Sequence, residues 1–173
     1  MKKLIAIVAG EPNSINSEII AKSWKQIKNK NNLFIIGNYL LIKKQINQIG
    51  LKIKISKINS INEIINKNNL NVLNIPLKFK STFNINKIDT KNYVIKCINM
   101  AHIMACKKII KGFVNAPVNK TIFNGKFLGV TEYLANKNNV KEKEVMMLYN
   151  RKLAVVPLTT HLEIKNVTNK IKF

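Results

Sequence analysis

The polypeptide has 173 residues, of which 46% are hydrophobic. It is long enough to bury a core, and the collagen-like, disulfide-scaffold and wholly disordered classes are excluded. It carries 30 Lys and Arg against 8 Asp and Glu, a formal net charge of +22. Apart from Arg151 these basic residues are lysines, and they are scattered through every segment. Proteins that bind nucleic-acid phosphates and bases are usually enriched in Arg instead. We therefore expect no specific nucleic-acid partner, and a basic nucleic-acid binder stays only as an alternative.

No apolar run approaches the roughly 18 residues that a membrane-spanning helix requires. The apolar residues 4–9 lead directly into Gly10-Glu11-Pro12 and are better interpreted as a buried first strand than as a signal peptide. Cys97 and Cys106 lie too far apart on one predicted helix to form a disulfide. We therefore expect a protein of the reducing cytoplasm with no membrane partner.

Short runs rich in Ile and Val alternate with segments of helical periodicity, which is typical of an α/β domain whose helices cover a mostly parallel sheet. In chain order we predict a strand at 4–9, a helix at 17–28, a strand at 33–37, a helix at 39–49, strands at 52–55 and 72–75, a helix at 90–111, and strands at 112–115, 145–149 and 153–158. The apolar residues of helix 90–111 recur three and four apart, so one of its faces should pack on the sheet.

The first candidate site is the turn that begins Gly10-Glu11-Pro12 and leads into a helix. A turn between the carboxyl end of a strand and a helix N-terminus is where open α/β sheets bind ligands, because free N–H groups and the helix dipole favour anions. A helix capped by Ser14 or Ser17 explains the same spacing.

Lys120 is the second candidate, because it follows the predicted strand 112–115 and would lie at the carboxyl end of the sheet. A lysine there can hold a phosphate or a carboxylate, or take part in a proton transfer. Among so many lysines, a merely solvated side chain is the alternative.

Two further candidates follow in the last third of the chain. Thr131 lies where a turn leads into a predicted helix. It could be the N-cap of that helix, or its hydroxyl could donate to an anionic ligand. His161 follows an apolar strand and could be a metal ligand or an acid/base group. The other histidine, His102, is interpreted as a packed or half-exposed helix residue. The residues alone therefore do not assemble a complete metal site.

Five segments, taken together in this order, resemble one enzyme family. They are Gly-Glu-Pro at 10–12, Ala-Pro-Val-Asn-Lys at 116–120, Gly-Val-Thr-Glu-Tyr-Leu-Ala at 129–135, Val-Met-Met-Leu at 145–148 and Leu-Thr-Thr-His-Leu-Glu-Ile-Lys-Asn-Val at 158–167. Each is common by itself, but five in the same order and approximate spacing are specific. The sequence resembles the 4-hydroxythreonine-4-phosphate dehydrogenase family, the NAD-dependent enzyme of pyridoxine 5'-phosphate biosynthesis.

The resemblance implies a fold similar to that of isocitrate and isopropylmalate dehydrogenases. In that fold two α/β domains flank an active-site cleft, and the partner in a homodimer contributes to each site. Family members are longer, and this sequence is similar to their amino-terminal half. We therefore expect the fold to be incomplete at its carboxyl end. Residues 1–128 should form part of a first α/β domain, and residues 129–173 should begin a truncated second one. The chain is then a fragment or a truncated form.

The resemblance also implies the chemistry. The family oxidises 4-phosphooxy-L-threonine by hydride transfer to NAD, and the product loses CO₂ to give 3-amino-2-oxopropyl phosphate for pyridoxal phosphate synthesis. Three histidines hold a divalent ion (Zn, Mg or Co); His161 matches the first, and the others would lie beyond Phe173. Thr131 matches a substrate-contacting threonine. Lys120 is interpreted as a catalytic residue that pairs with an anion or takes part in a proton transfer. We expect negligible dehydrogenase activity from these 173 residues alone.

Two places depart from the family pattern. Val130 stands at the position of a substrate-contacting histidine, and its apolar side chain cannot donate to a phosphate or an alcohol. Ser14 and Asn16 replace two glycines of the opening motif, and Asn adopts a positive φ more readily than Ser. A non-catalytic remnant or interaction module stays as the alternative to an enzyme.

Overall fold

The computed structural model describes residues 4–30, 32–63, 68–140, 143–159, 162–169 and 171. The chain divides into two compact units, Met1–Asn124 and Gly125–Phe173. The first unit contains β1 (Ile5–Val8), α1 (Asn16–Gln26), β2 (Leu33–Gly37), α2 (Tyr39–Gln48), β3 (Ile55–Ile58), β4 (Leu70–Asn74), α3 (Lys87–Cys106) and β5 (Gly112–Asn115). The second contains α4 (Val130–Lys137), β6 (Leu148–Tyr149) and β7 (Ala154–Val155). None of the described helices is long and apolar enough to cross a bilayer.

The five strands of the first unit form a parallel sheet in the order β3-β4-β2-β1-β5. Val8, the last residue of β1, lies opposite Ile36 of β2 and Asn115 of β5. The predicted α/β class with a mostly parallel sheet is therefore confirmed, and the register brings the carboxyl ends of β1 and β5 side by side.

Helices cover both faces of this sheet. Trp24 of α1 belongs to a buried cluster with Ile35 of β2 and Val72 of β4, and α2 contributes Ile46 to the same cluster. Because neighbouring strand residues point to opposite faces, Phe34 and Ile36 face the other side, where α3 packs against β1, β2 and β5. The apolar stripe predicted on this helix is buried as expected at Val94, Cys97, Ile98, Ala101 and Met104.

The predicted bounds of α3 are wrong at both ends. The helix begins at Lys87 and not at residue 90, because the Asn86 side chain caps it by accepting a hydrogen bond from the backbone N–H of Asp89 at 2.9 Å. It ends at Cys106 and not at residue 111, because Lys108 adopts a left-handed φ of 57°. A left-handed residue just after the last turn is a common helix stop.

The third predicted strand, residues 52–55, is also misplaced, because β3 occupies Ile55–Ile58. The backbone N–H of Leu51 donates to the carbonyl of Ile46, so the chain here completes the end of α2. Pairing begins only where Ile55 lies opposite Leu70, the first residue of β4. The partner strand, and not the local alternation of Lys and Ile, therefore sets the bounds.

The two strands predicted at 145–149 and 153–158 shorten to two residues each. They pair antiparallel, with Leu148 opposite Val155 and Tyr149 opposite Ala154, so the parallel prediction applies only to the five-stranded sheet. All four residues are exposed, so burial does not stabilise longer strands here.

Gly37 closes β2 at a point of tight packing. A Cβ there would lie 2.8 Å from the Cβ of Ala9, 2.9 Å from Cδ1 of Ile42 and 3.0 Å from the hydroxyl of Tyr93. We expect Gly37→Ala to lower the free energy of unfolding by about 1–3 kcal/mol, because a buried methyl group must displace well-packed neighbours. Urea denaturation followed by circular dichroism measures the change.

Gly112→Ala is the matched control, since within the described residues a Cβ at Gly112 meets no atom within 4 Å. We expect this variant to be unchanged or slightly more stable. Equal losses in the two variants would contradict the packing argument.

Candidate functional site at the carboxyl edge of the sheet

The turn after β1 and the segment after β5 are joined directly. The backbone N–H of Glu11 donates to the carbonyl oxygen of Pro117 at 3.1 Å. Gly10 makes this approach feasible, since it adopts a φ of 71° and a Cβ there would lie 2.6 Å from the same oxygen and 2.9 Å from that of Ala116. Only glycine fits both the conformation and the space.

Asn16 adds a side-chain link at the same place. It is the first residue of α1 and is almost fully buried. Its Nδ2 donates to the carbonyl oxygen of Pro117 at 2.8 Å and to that of Glu11 at 3.2 Å. The asparagine that departs from the family pattern therefore holds the turn after β1 against the segment after β5.

The serine caps predicted for this helix are wrong. Ile15 occupies the N-cap position, and no side chain among the described residues caps it. Ser14 instead donates to the carbonyl oxygen of Glu11 at 2.7 Å, within the turn. Its Oγ also accepts from the backbone N–H of Asn16, the first residue of α1, at 3.2 Å. Ser17 donates to Oε1 of Gln45, a tertiary contact between α1 and α2.

A cleft of about 650 Å³ opens in the first unit beside this junction. Its walls come from the turn after β1, the first turns of α3 and the segment after β5. The lining residues are Glu11, Asn13, Lys87, Ile88, Thr90, Lys91, Asn119, Thr121, Ile122 and Asn124. Two lysines against one glutamate give the cleft a positive charge, which favours an anionic ligand.

The carboxylate of Glu11 is the acidic group of this cleft. Partial burial raises its pKa above the ordinary value of 4.5, because the charged form loses solvation. Backbone N–H groups of Asn13 and Asn119 donate to the carboxylate and act in the opposite direction. These contacts also connect the turn after β1 with the segment after β5.

Lys120 begins a short 3₁₀ helix, Lys120–Phe123, that follows β5. Asn119 caps this helix, with its side-chain oxygen accepting from the backbone N–H of Thr121 at 3.0 Å. The Lys120 side chain is exposed, and both sequence neighbours line the cleft. Its catalytic role stays a prediction.

The two predicted substrate residues lie in the first turn of α4, in the second unit. Gly129 occupies the N-cap position, so the interpretation of Thr131 as N-cap is wrong. Val130 is half-buried, whereas Thr131 is exposed and its hydroxyl is accessible. The role of Thr131 as a hydroxyl donor stays a prediction.

His161 lies outside the described residues, so its metal-binding role also stays a prediction. His102 is half-buried in α3, as expected, and its Nε2 lies 3.4 Å from Sγ of Cys106. Among the residues that the structure describes, no group of three His, Cys, Asp or Glu side chains could hold a metal ion.

Lys87 and Lys91 were not predicted as cleft residues, because the contacts that hold the start of α3 beside the turn after β1, such as Asn13 with Ile85, join residues 72 positions apart in the sequence. A signal was available: Asn86 and Asp89 are spaced as N-cap and N3 residues, and Nδ2 of Asn86 donates to Oδ2 of Asp89 at 2.6 Å. This pair would have placed the helix start, and with it both lysines, at the edge of the sheet.

The Asn16 link generates a stability prediction. We expect Asn16→Ala to lower the free energy of unfolding by about 1–3 kcal/mol, because two partly buried hydrogen bonds are lost. Asn92→Ala is the control, since Asn92 is an exposed residue of α3. Chemical denaturation measures both, and equal stability of Asn16→Ala and the unaltered chain would contradict the link.

Glu11 generates a pH prediction. Its folded-state pKa lies above the ordinary 4.5, so the contribution of this group to stability is complete below that pH and declines as the pH rises through the folded-state pKa. Glu11→Gln removes this decline, so the variant should gain in stability relative to the unaltered chain as the pH rises from 4.5 through the folded-state pKa of Glu11. Glu63→Gln controls for the loss of one charge. Urea titrations across this range test the prediction, and parallel pH profiles for Glu11→Gln and the unaltered chain would refute it.

Comparison with known proteins gives one family. The sequence model described as pyridoxal phosphate biosynthetic protein PdxA matches residues 29–173. A 4-hydroxythreonine-4-phosphate dehydrogenase from Aquifex aeolicus is 31% identical over 99% of this chain and 54% of its own length. One of the same name from a Hydrogenobaculum species is 28% identical over 98% of this chain and 54% of its own.

Solved structures show the same fold. A 4-hydroxythreonine-4-phosphate dehydrogenase from Klebsiella pneumoniae superimposes with a TM-score of 0.84 at 23% identity, over 99% of this chain and 54% of that one. A terephthalate 1,2-cis-dihydrodiol dehydrogenase from Burkholderia xenovorans gives a TM-score of 0.68 at 17% identity, over 95% of this chain and 50% of that one. The chain spans about half the length of the relatives that it matches. With a family model that covers residues 29–173, the chain belongs to the family of the pyridoxal phosphate biosynthetic protein PdxA.

Proposed function

We propose that this chain provides the amino-terminal half of a dehydrogenase that acts on 4-phosphooxy-L-threonine in pyridoxal phosphate synthesis. Hydride from the secondary alcohol reduces NAD⁺ to NADH, and the resulting β-keto acid loses CO₂ to give 3-amino-2-oxopropyl phosphate. The observation that carries this proposal is the family match over residues 29–173, with relatives that bear the name 4-hydroxythreonine-4-phosphate dehydrogenase.

The cleft of the first unit supports a small anionic ligand. Its volume of about 650 Å³ lies in the range of small-molecule sites. It opens beside the carboxyl ends of β1 and β5, the edge at which open α/β sheets bind ligands. Lys87 and Lys91 supply ammonium groups that attract a phosphate or carboxylate, as either the substrate or NAD carries.

The residues proposed to contact substrate have distinct roles. Thr131 donates its exposed hydroxyl to the substrate, and Lys120 pairs with an anion or transfers a proton. Val130 stands where the family has a histidine and provides only apolar contact. We propose that Thr131 supplies the polar contact at this helix end.

The proposed cofactors are NAD and a divalent ion, Zn, Mg or Co. His161 in its neutral form is the metal ligand that this chain offers. The described residues form no three-ligand group of their own, so we assign no step of the reaction to the ion. We further propose a homodimer, whose partner contributes to each site, located in the cytoplasm. Cys97 and Cys106 form no disulfide in the described part of the chain, which suits that reducing compartment.

A fusion tests this function. In it, residues 1–173 are continued by the part of the Aquifex aeolicus relative that lies beyond the matched region. We expect the fusion to form NADH from 4-phosphooxy-L-threonine with NAD and a divalent ion, and the 173-residue chain alone to form almost none. His161→Ala should lower kcat of the fusion about 100-fold or more, because the ion loses a ligand.

The matched control is His102→Ala, which alters the other histidine and should leave kcat within about twofold, since a half-buried helix residue contacts no reacting atom in this proposal. A fusion that forms no NADH would overturn the proposed reaction. Equal losses in the two histidine variants would overturn the role of His161.

A further inference from the structure

The last turn of α3 brings a histidine and a cysteine together, at the end of the helix that lies away from the cleft. Cys106 is the last residue of α3, and its side chain is exposed. His102 lies four positions earlier, so the two side chains project from the same side of the helix. Nε2 of His102 lies 3.4 Å from Sγ of Cys106. Imidazole nitrogen and cysteine sulfur are the two ligand types that zinc prefers in proteins.

The separation of these two atoms fits a tetrahedral ion. Zinc bonds are about 2.0–2.1 Å long to an imidazole nitrogen and about 2.3 Å long to a thiolate sulfur. At a tetrahedral angle these lengths place nitrogen and sulfur about 3.5 Å apart, whereas a linear arrangement needs about 4.3 Å. The observed 3.4 Å between Nε2 of His102 and Sγ of Cys106 therefore allows one zinc ion to contact both atoms after a small movement of the side chains.

The position on α3 favours a cation at this pair. The carboxyl end of a helix carries a partial negative charge, which attracts cations. The buried side chains of Ala101 and Met104 hold the last turn of α3 on the sheet, so the two ligands start from a fixed backbone geometry. Lys107 and Lys108 follow directly and are exposed, so their long side chains can carry the ammonium groups away from the pair into solvent.

We propose that His102 and Cys106 bind a tetrahedral divalent ion of the zinc class at the surface of the first unit. Nε2 of His102 and Sγ of Cys106 occupy two of the four coordination positions, and water fills the other two. The thiol of Cys106 releases its proton to solvent when the ion binds. The described residues form no group of three His, Cys, Asp or Glu ligands, so we expect an open site that exchanges its ion with solvent.

This site is separate from the cleft at the carboxyl edge of the sheet. Lys87 and Lys91, in the first turns of α3, line that cleft. His102 follows Lys91 by eleven positions, which is about 16 Å along a helix. An ion held by His102 and Cys106 therefore contacts none of the groups that line the cleft, and this inference does not depend on which reaction the complete protein performs.

Cobalt titration tests the proposal, because Co²⁺ enters zinc sites and a bond between cobalt and a thiolate absorbs in the near ultraviolet. We expect the reduced, metal-free 173-residue chain to develop this absorption as cobalt is added, and to lose it when zinc displaces the cobalt. Cys106→Ser should abolish the absorption. His102→Ala should raise the dissociation constant for cobalt about tenfold or more, since even the loss of an outer partner of a ligand weakens metal binding by that factor.

Two control variants separate this pair from the other ligands of the chain. His161→Ala should keep the absorption, because the histidine proposed for the ion of the reaction is not part of the pair. His102→Ala combined with Asn92→His keeps the number of histidines but moves one to an exposed position of α3 far from Cys106. This double variant should bind cobalt as weakly as His102→Ala alone.

Four results would overturn the proposal. The first is the absence of the absorption in the unaltered chain. The second is its persistence in Cys106→Ser, which would assign the thiolate to Cys97, a residue that is fully buried in the structure. The third is an equal dissociation constant for the unaltered chain and His102→Ala, and the fourth is loss of the absorption in His161→Ala.

Discussion

The link between the turn after β1 and the carbonyl oxygen of Pro117 is the contact on which the carboxyl edge of the sheet depends. Hydrogen bonds between parallel strands hold only the strands themselves. The loops that follow the strands therefore need other contacts to stay side by side. Here one acceptor receives the backbone N–H of Glu11 and the Nδ2 of Asn16, and Gly10 leaves the space for both. Asn119, which follows two residues later, is thereby held where its N–H reaches the Glu11 carboxylate. The cleft therefore owes its shape to backbone geometry before any ligand binds.

The two units use the same residue types with opposite outcomes. In the first, residues of the central strands such as Ile35, Ile36 and Val72 are buried beneath α1 and α2 on one face or α3 on the other, whereas Val114 of the edge strand β5 is 58% exposed. In the second, equally apolar runs form only β6 and β7 and stay exposed. Hydrophobic stabilisation is proportional to the area that is removed from water. The described residues of the second unit supply no element that covers β6 and β7. Strand propensity alone therefore produces only two short paired strands there.

The sequence predicted the fold class and the five strands of the parallel sheet, because a largely buried run such as Leu33–Gly37 consists of the apolar residues that a strand covered on both faces requires. It misplaced β3, whose bounds depend on pairing with Leu70, a contact that local alternation does not encode. It also began the next strand at residue 72, whereas β4 begins at Leu70 and includes the buried Asn71.

The candidate site, like the fold, was predictable only in part from the sequence. The turn at Gly10 was found from its position between strand and helix. Its link to Pro117 joins residues about a hundred positions apart in the sequence, so no local pattern could show it.

The two departures from the family pattern have different physical consequences. Asn16 stands where the resemblance implies a glycine, and its Nδ2 forms two hydrogen bonds that a glycine could not make. Val130 replaces a histidine at the first turn of α4, and its side chain can neither donate nor accept a hydrogen bond. The first change acts on the scaffold, where Nδ2 of Asn16 finds two acceptors while its buried Oδ1 has no hydrogen-bond partner among the described residues. The second removes a polar group from a surface where substrate is proposed to bind, and in that proposal the hydroxyl of Thr131, one residue later, is the polar group that this helix end offers.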